Sequence, residues 1–111
     1  MAPGGAEIKG LTQFKEVIAG DKPVIIDFSA SWCGPCKVIS PIFNQLAADE
    51  KYKDNALFVT LDVDEEEDIA QEVGIKAMPT FMVFKNGEKV DTFVGADKNK
   101  LPEFIAKYAS A

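Results

Sequence analysis

The sequence predicts an α/β fold in which a central, mixed, five-stranded sheet is flanked by four helices. Three observations predict it. Apolar strand-like runs alternate with stretches of helical apolar period, the pattern of parallel strands joined by helical crossovers. The run Val24-Ile25-Ile26-Asp27-Phe28 is almost continuously apolar rather than alternating, as in a central strand covered on both faces. Near the C-terminus, two strand-like runs flank Asn86-Gly87, a strong hairpin signal that adds an antiparallel edge.

The elements follow in order. A weak first strand is placed at Glu7 to Lys9. Leu11, Phe14, Val17 and Ile18 recur at helical spacing, and Gly20-Asp21-Lys22-Pro23 stops that helix. The strand Val24–Phe28 leads into a turn from Ser31 to Cys36, and a long helix runs from Cys36 to Ala48 with Pro41 inside it. Residues 56–63 form the next strand. Glu66 to Val73 form a short helix whose acidic start suits the positive end of its dipole, with Gly74 placed as its left-handed cap. Thr80–Phe84 and Lys89–Val94 are the hairpin strands. The last helix runs to about Ala109, presenting Leu101, Phe104, Ile105 and Tyr108 on one face and admitting Pro102 in its first turn. The aromatic residues at 14, 28, 43, 58, 81, 84, 93 and 104 are read as core.

One domain, residues 1–111, accommodates this plan. Of its residues 47% are apolar and 27% charged, enough for a real core. The net charge is −6, from 12 lysines and 18 acidic residues, with no Arg and no His. An acidic chain without Arg lacks the basic patch that nucleic-acid binding needs. Without His there is no Ser-His-Asp or Cys-His arrangement and no imidazole-ligated metal. Met1-Ala2-Pro3-Gly4-Gly5 does not read as a secretory signal, and no apolar stretch approaches the ~20 residues that span a bilayer. A cytoplasmic monomer that engages neither membrane nor nucleic acid is expected. The acidic run 64–68 reads as a solvated helix start.

The chemistry concentrates in Ser29-Ala30-Ser31-Trp32-Cys33-Gly34-Pro35-Cys36-Lys37. A C-x-x-C pair between a strand and a helix places Cys33 at the helix start, where unpaired N–H groups and the dipole favour a thiolate. Cys36 lies about one turn further along and less exposed. Cys33 attacks a substrate disulfide, and Cys36 then attacks Cys33 and releases the reduced substrate. A zinc half-site would need further Cys or His ligands that the chain lacks. A structural staple over so short a loop removes little chain entropy. Asp27, in an otherwise apolar strand, should have its pKa raised by burial and could take the proton of Cys36. The alternative is a buried carboxylate held for structure alone. Trp32, in a turn, is a contact surface rather than core.

Trp32-Cys33-Gly34-Pro35-Cys36 resembles the active-site motif of the thioredoxin family. Pro41, Met78-Pro79-Thr80 and Gly95 fall where thioredoxins place a kink proline, a cis-proline loop and a glycine beside the substrate groove. The resemblance runs from the first helix to the last and is to the cytosolic, eukaryotic type. It implies the thioredoxin fold and a protein-disulfide reductase with no cofactor of its own. The implied partners are disulfide-containing proteins and a thioredoxin reductase. It assigns catalysis to Cys33, Cys36 and Asp27, and substrate contact to Trp32, Gly34, Pro35, Met78, Pro79 and Gly95, with Pro79 cis. Bacterial thioredoxins often carry a Lys near the Asp; Thr60 stands there here, which puts a Lys-assisted version in doubt. A redox-gated protein-binding module is the alternative from another class.

Overall fold

The computed structural model describes residues 8–110. Its elements are α1 (Gly10–Ile18), β1 (Val24–Ser29), α2 (Gly34–Ala48), β2 (Leu57–Asp62), α3 (Glu67–Val73), β3 (Thr80–Lys85), β4 (Glu88–Val94) and α4 (Leu101–Ala109). The sheet order is β2-β1-β3-β4. β1 is parallel to β2 and antiparallel to β3, which is antiparallel to β4.

Among the described residues the sheet has four strands, not the expected five. Of the candidate first strand, Glu7 lies outside the described residues, and Ile8 and Lys9 belong to no strand. Lys9 is extended, yet it caps α1, and its backbone N–H donates to the Gln13 side chain at 2.5 Å rather than to a ladder. α2 also begins two residues earlier than expected, at Gly34. Pro35 fits there because first-turn N–H groups have no intrahelical acceptor.

The direction of β3 positions the site. Alternating strands and helices suggested a parallel strand after α3, but β3 runs against β1. With seven residues, α3 spans only about 10 Å, half the length of a six-residue strand. It cannot carry the chain back along the sheet, so β3 begins at the end where β2 finished. Met78-Pro79 is thereby delivered beside the C-terminal end of β1, where Cys33 follows.

Side chains alternate across β1 and build two cores. Val24, Ile26 and Phe28 face α1 and α3, packing with Phe14, Ile18, Val59, Leu61, Ile69, Met82 and Phe84. Ile25 faces α2 and α4, with Ile39, Phe43, Phe58, Phe81, Val83, Leu101 and Ile105. Of the eight phenylalanines read as core, Phe93 and Phe104 are only half-buried, because β4 is an edge strand. Tyr108 is half-buried too, and its hydroxyl donates to Asp91 of β4.

The hairpin tip meets the sequence expectation. Asn86 (φ 54°) and Gly87 (φ 82°) both occupy the left-handed region, as a two-residue type I′ turn requires. Their N–H groups donate at 2.8 Å to the carbonyls of Gly20 and Ile18, so the turn closes the open end of α1. At α3, Gly74 is the left-handed cap expected, donating to Ala70 and Gln71.

Candidate active site

β1 ends at Ser29, and the chain turns through Ala30, Ser31 and Trp32 into α2. Cys33 is the N-cap of that helix, its own N–H donating to the Ala30 carbonyl at 3.1 Å. Its sulfur accepts the N–H of Cys36 at 3.2 Å, filling the capping role that a Ser or Asp oxygen usually takes. Cys33 and Cys36 are joined as a disulfide, with Cα atoms 5.3 Å apart. When the bridge opens, a Cys33 thiolate would sit against unpaired N–H groups at the positive end of a 15-residue helix. The expected contrast in exposure is slight in this bridged state, at 4% for Cys33 and 2% for Cys36.

Met78 and Val63 pack against Ala30, Cys33 and Cys36. The Met78–Pro79 peptide bond is cis, as the resemblance implied. Pro79 is buried, and its carbonyl accepts the N–H of Gly95 at 3.0 Å. Gly95 has φ 109°, a region that L side chains rarely adopt, and the space where a Cβ would stand is open. Gly34 and Pro35 lie exposed at the first turn of α2. Trp32 is 66% exposed, a surface residue as expected. Beside it runs a groove of about 300 Å³ lined by Trp32, Val63, Ala70, Ile75 and Met78, with Glu67 and Lys76 among its charged residues. The structure therefore gathers Trp32, Gly34, Pro35, Met78, Pro79 and Gly95 around the C-terminal end of β1 and the first turn of α2.

Asp27 lies beneath this surface. It follows Ile25 on the α2-facing side of β1 and is 0% exposed. Its Oδ2 accepts the Ser40 hydroxyl at 2.8 Å, whereas Oδ1 is buried with no hydrogen-bond partner among the described residues. Burial pushes the carboxyl up to about 6, and the Ser40 hydrogen bond pulls partly the other way. Thr60 is its register partner on β2. A half-satisfied buried carboxyl that titrates near neutrality, bonded through Ser40 to the helix that carries Cys36, is suited to proton exchange with the thiols.

Two contributors were not singled out from the sequence. Ser40 is one, although it lies four residues beyond Cys36 and so on the same helix face. Asp64 is the other: its Oδ2 accepts the Trp32 indole N–H at 2.7 Å and orients the ring. It was read only as part of a solvated acidic run. Glu66, in the same run, accepts the Gly10 N–H at 2.8 Å and holds the start of α1 to α3. Spacing offered no signal for either, because the partners are 32 and 56 residues away.

Comparison with known proteins converges on one family. Residues 7–107 match the family model described as Thioredoxin. The thioredoxin of Malassezia sympodialis is 53% identical over 103 residues, spanning 93% of this chain and 97% of the relative. The human thioredoxin is 52% identical over 101 residues, spanning 89% and 93%. The crystal structure of the Malassezia sympodialis thioredoxin superposes with a TM-score of 0.90 at 50% identity, covering 99% of this chain and 96% of that one.

Proposed function

This chain belongs to the thioredoxin family, and from that premise we propose that it is a general protein-disulfide reductase of the cytoplasm, returned to its dithiol form by a thioredoxin reductase. Thiol–disulfide exchange through Cys33 and Cys36 is its activity. The carrying observation is the Cys33–Cys36 pair at the N-terminus of α2, with Cys33 capping the helix.

The geometry supports the following roles. In the dithiol form the helix end favours the Cys33 thiolate. That sulfur attacks one sulfur of a substrate disulfide, and the other substrate sulfur leaves as a thiolate. Asp27 accepts the Cys36 proton. Cys36 then bonds to Cys33, and the second substrate sulfur departs with the electron pair of the broken bond. The disulfide state seen here is the product of that step. An extended substrate segment would lie along the groove between Trp32 and Met78, pairing with the backbone at Met78 and passing over Gly95. No charged group contributes to the carboxyl's shift, which supports an Asp27 that works without a lysine neighbour. The cytoplasm is a compartment where such a dithiol is kept reduced.

The test is NADPH-coupled turnover with thioredoxin reductase and insulin as the disulfide substrate. The parent chain is expected to turn over and Cys33→Ser to be inactive. Full activity in Cys33→Ser would end the proposal.

A further inference from the structure

We infer that Ser40 is a positioning residue for the resolving step: its hydroxyl holds Oδ2 of Asp27 and leaves Oδ1 as the oxygen that takes the Cys36 proton. The inference rests on Asp27 acting as the base for Cys36, and it adds what directs and tunes that base.

Three observations carry it. A carboxyl has two oxygens, and here they are treated differently: Oδ2 is bonded at 2.8 Å, and Oδ1 is buried without a partner among the described residues. A buried acceptor left unpartnered is costly, so an orphaned oxygen on a carboxyl tied to the helix of the reactive pair marks a proton site rather than a packing accident. Second, Ser40 and Cys36 are four residues apart on α2 and share one face of the helix. The group that fixes the carboxyl and the group that loses the proton are thus carried by the same rigid element. Third, the side-chain hydrogen bond that displaces the Asp27 carboxyl comes from Ser40. Its register partners are Thr60 on β2 and Phe81 on β3, and α2, the helix that carries Cys36, contributes Ser40. Only burial and Ser40 displace its pKa, and no charged group contributes.

The step balances as follows. The Cys36 proton passes to Oδ1, and the Cys36 sulfur bonds to the Cys33 sulfur. The substrate sulfur leaves as a thiolate with the electrons of the old bond. A hydroxyl donates more strongly to a carboxylate than to a carboxylic acid. Ser40 therefore favours the ionised base at rest and is relaxed once the proton has arrived.

The test uses an aromatic disulfide that releases one coloured thiolate on attack by Cys33 and a second on resolution. Ser40→Ala retains the fold, because Ala is the best helix former. Its resolution rate is expected to rise with pH along a curve displaced alkaline by about one pH unit, the scale of one hydrogen bond to a charged group. At pH 6 resolution would be about fivefold slower than in the parent, and the two would converge above about pH 8. The first release should be unchanged, and Ser40→Thr, which keeps the hydroxyl, should restore the parent curve. Carboxyl titration of the bridged protein by isotope-edited NMR should show the same alkaline displacement of Asp27. An unmoved midpoint in Ser40→Ala, equal slowing of both releases, or failure of the Thr variant would overturn the inference. Asp27→Asn separates the two ideas. If it slows resolution while Ser40→Ala does not, Ser40 alone is dismissed; if it leaves resolution untouched, the base reading falls and the inference with it.

Discussion

Asp27→Asn should change how stability depends on pH, by an amount that follows from its burial. The side chain is 0% exposed, and its pKa rises from 3.8 to about 6 on folding. Between those values the folded chain holds a proton that the unfolded chain releases. Stability contributed by this group is therefore highest below pH 3.8, falls as pH rises towards about 6, and is flat above. The displacement is about two pH units, so the fall amounts to about 3 kcal/mol at 1.36 kcal/mol per unit. An amide does not titrate, so the variant lacks this slope. Any cost of burying the Asn amide adds an offset that does not depend on pH. The assay is urea unfolding of the bridged protein at intervals from pH 4 to 8, with the cysteines held out of the titration. The remaining carboxylates titrate in both proteins and cancel in the difference. The stability of Asp27→Asn relative to the parent should grow by about 2.4 kcal/mol from pH 4 to 7, the rest of the change lying below pH 4, and then level off. A difference constant across that range would refute the account of Asp27 as a charge forced into an apolar layer.

Three further outcomes are expected. Cys36→Ser should trap substrates as mixed disulfides on Cys33, detectable as adducts by non-reducing mass spectrometry and released by added thiol; absence of adducts would remove Cys36 from resolution. Asp64→Ala should free the Trp32 indole, lowering the fluorescence anisotropy of the single tryptophan and raising KM for a protein disulfide several-fold while kcat is kept. Unchanged anisotropy and KM would show that the contact orients nothing. Phe43→Ala, which removes a fully buried ring in contact with Phe58 and Phe81, should cost about 3–5 kcal/mol in denaturant unfolding. Val90→Ala, at a site 47% exposed on the edge strand, should cost under about 1 kcal/mol, and equal losses would contradict the two-layer core.

Most of the elements were legible because they are written in short-range signals. The apolar run of β1, the helical period of α1 and α4, Asn86-Gly87 at the hairpin and Gly74 after α3 each depend on residues within a few positions of one another. The cysteine pair belongs to the same class: its spacing alone places both sulfurs on the first turn of one helix. The misreadings share an opposite cause. Strand count and direction depend on which edges meet, and a single sequence does not display that pairing. Lys9 has strand-like backbone angles but spends its amide on Gln13, and β3 is reversed because α3 is too short to return the chain.

The identity of the reacting atoms was therefore settled by the linear sequence, since a thiolate at a helix start needs only local geometry. What surrounds them was decided by the tertiary structure. Asp27 acquires its orientation from Ser40, Trp32 is steadied by Asp64, and Met78 is brought against Cys33 and Cys36 through the reversed strand. The apolar run of β1 announced the desolvation of Asp27, but hydrogen bonds across 13 to 56 residues exist only once the sheet has closed, so no pattern along the chain could have announced those partners.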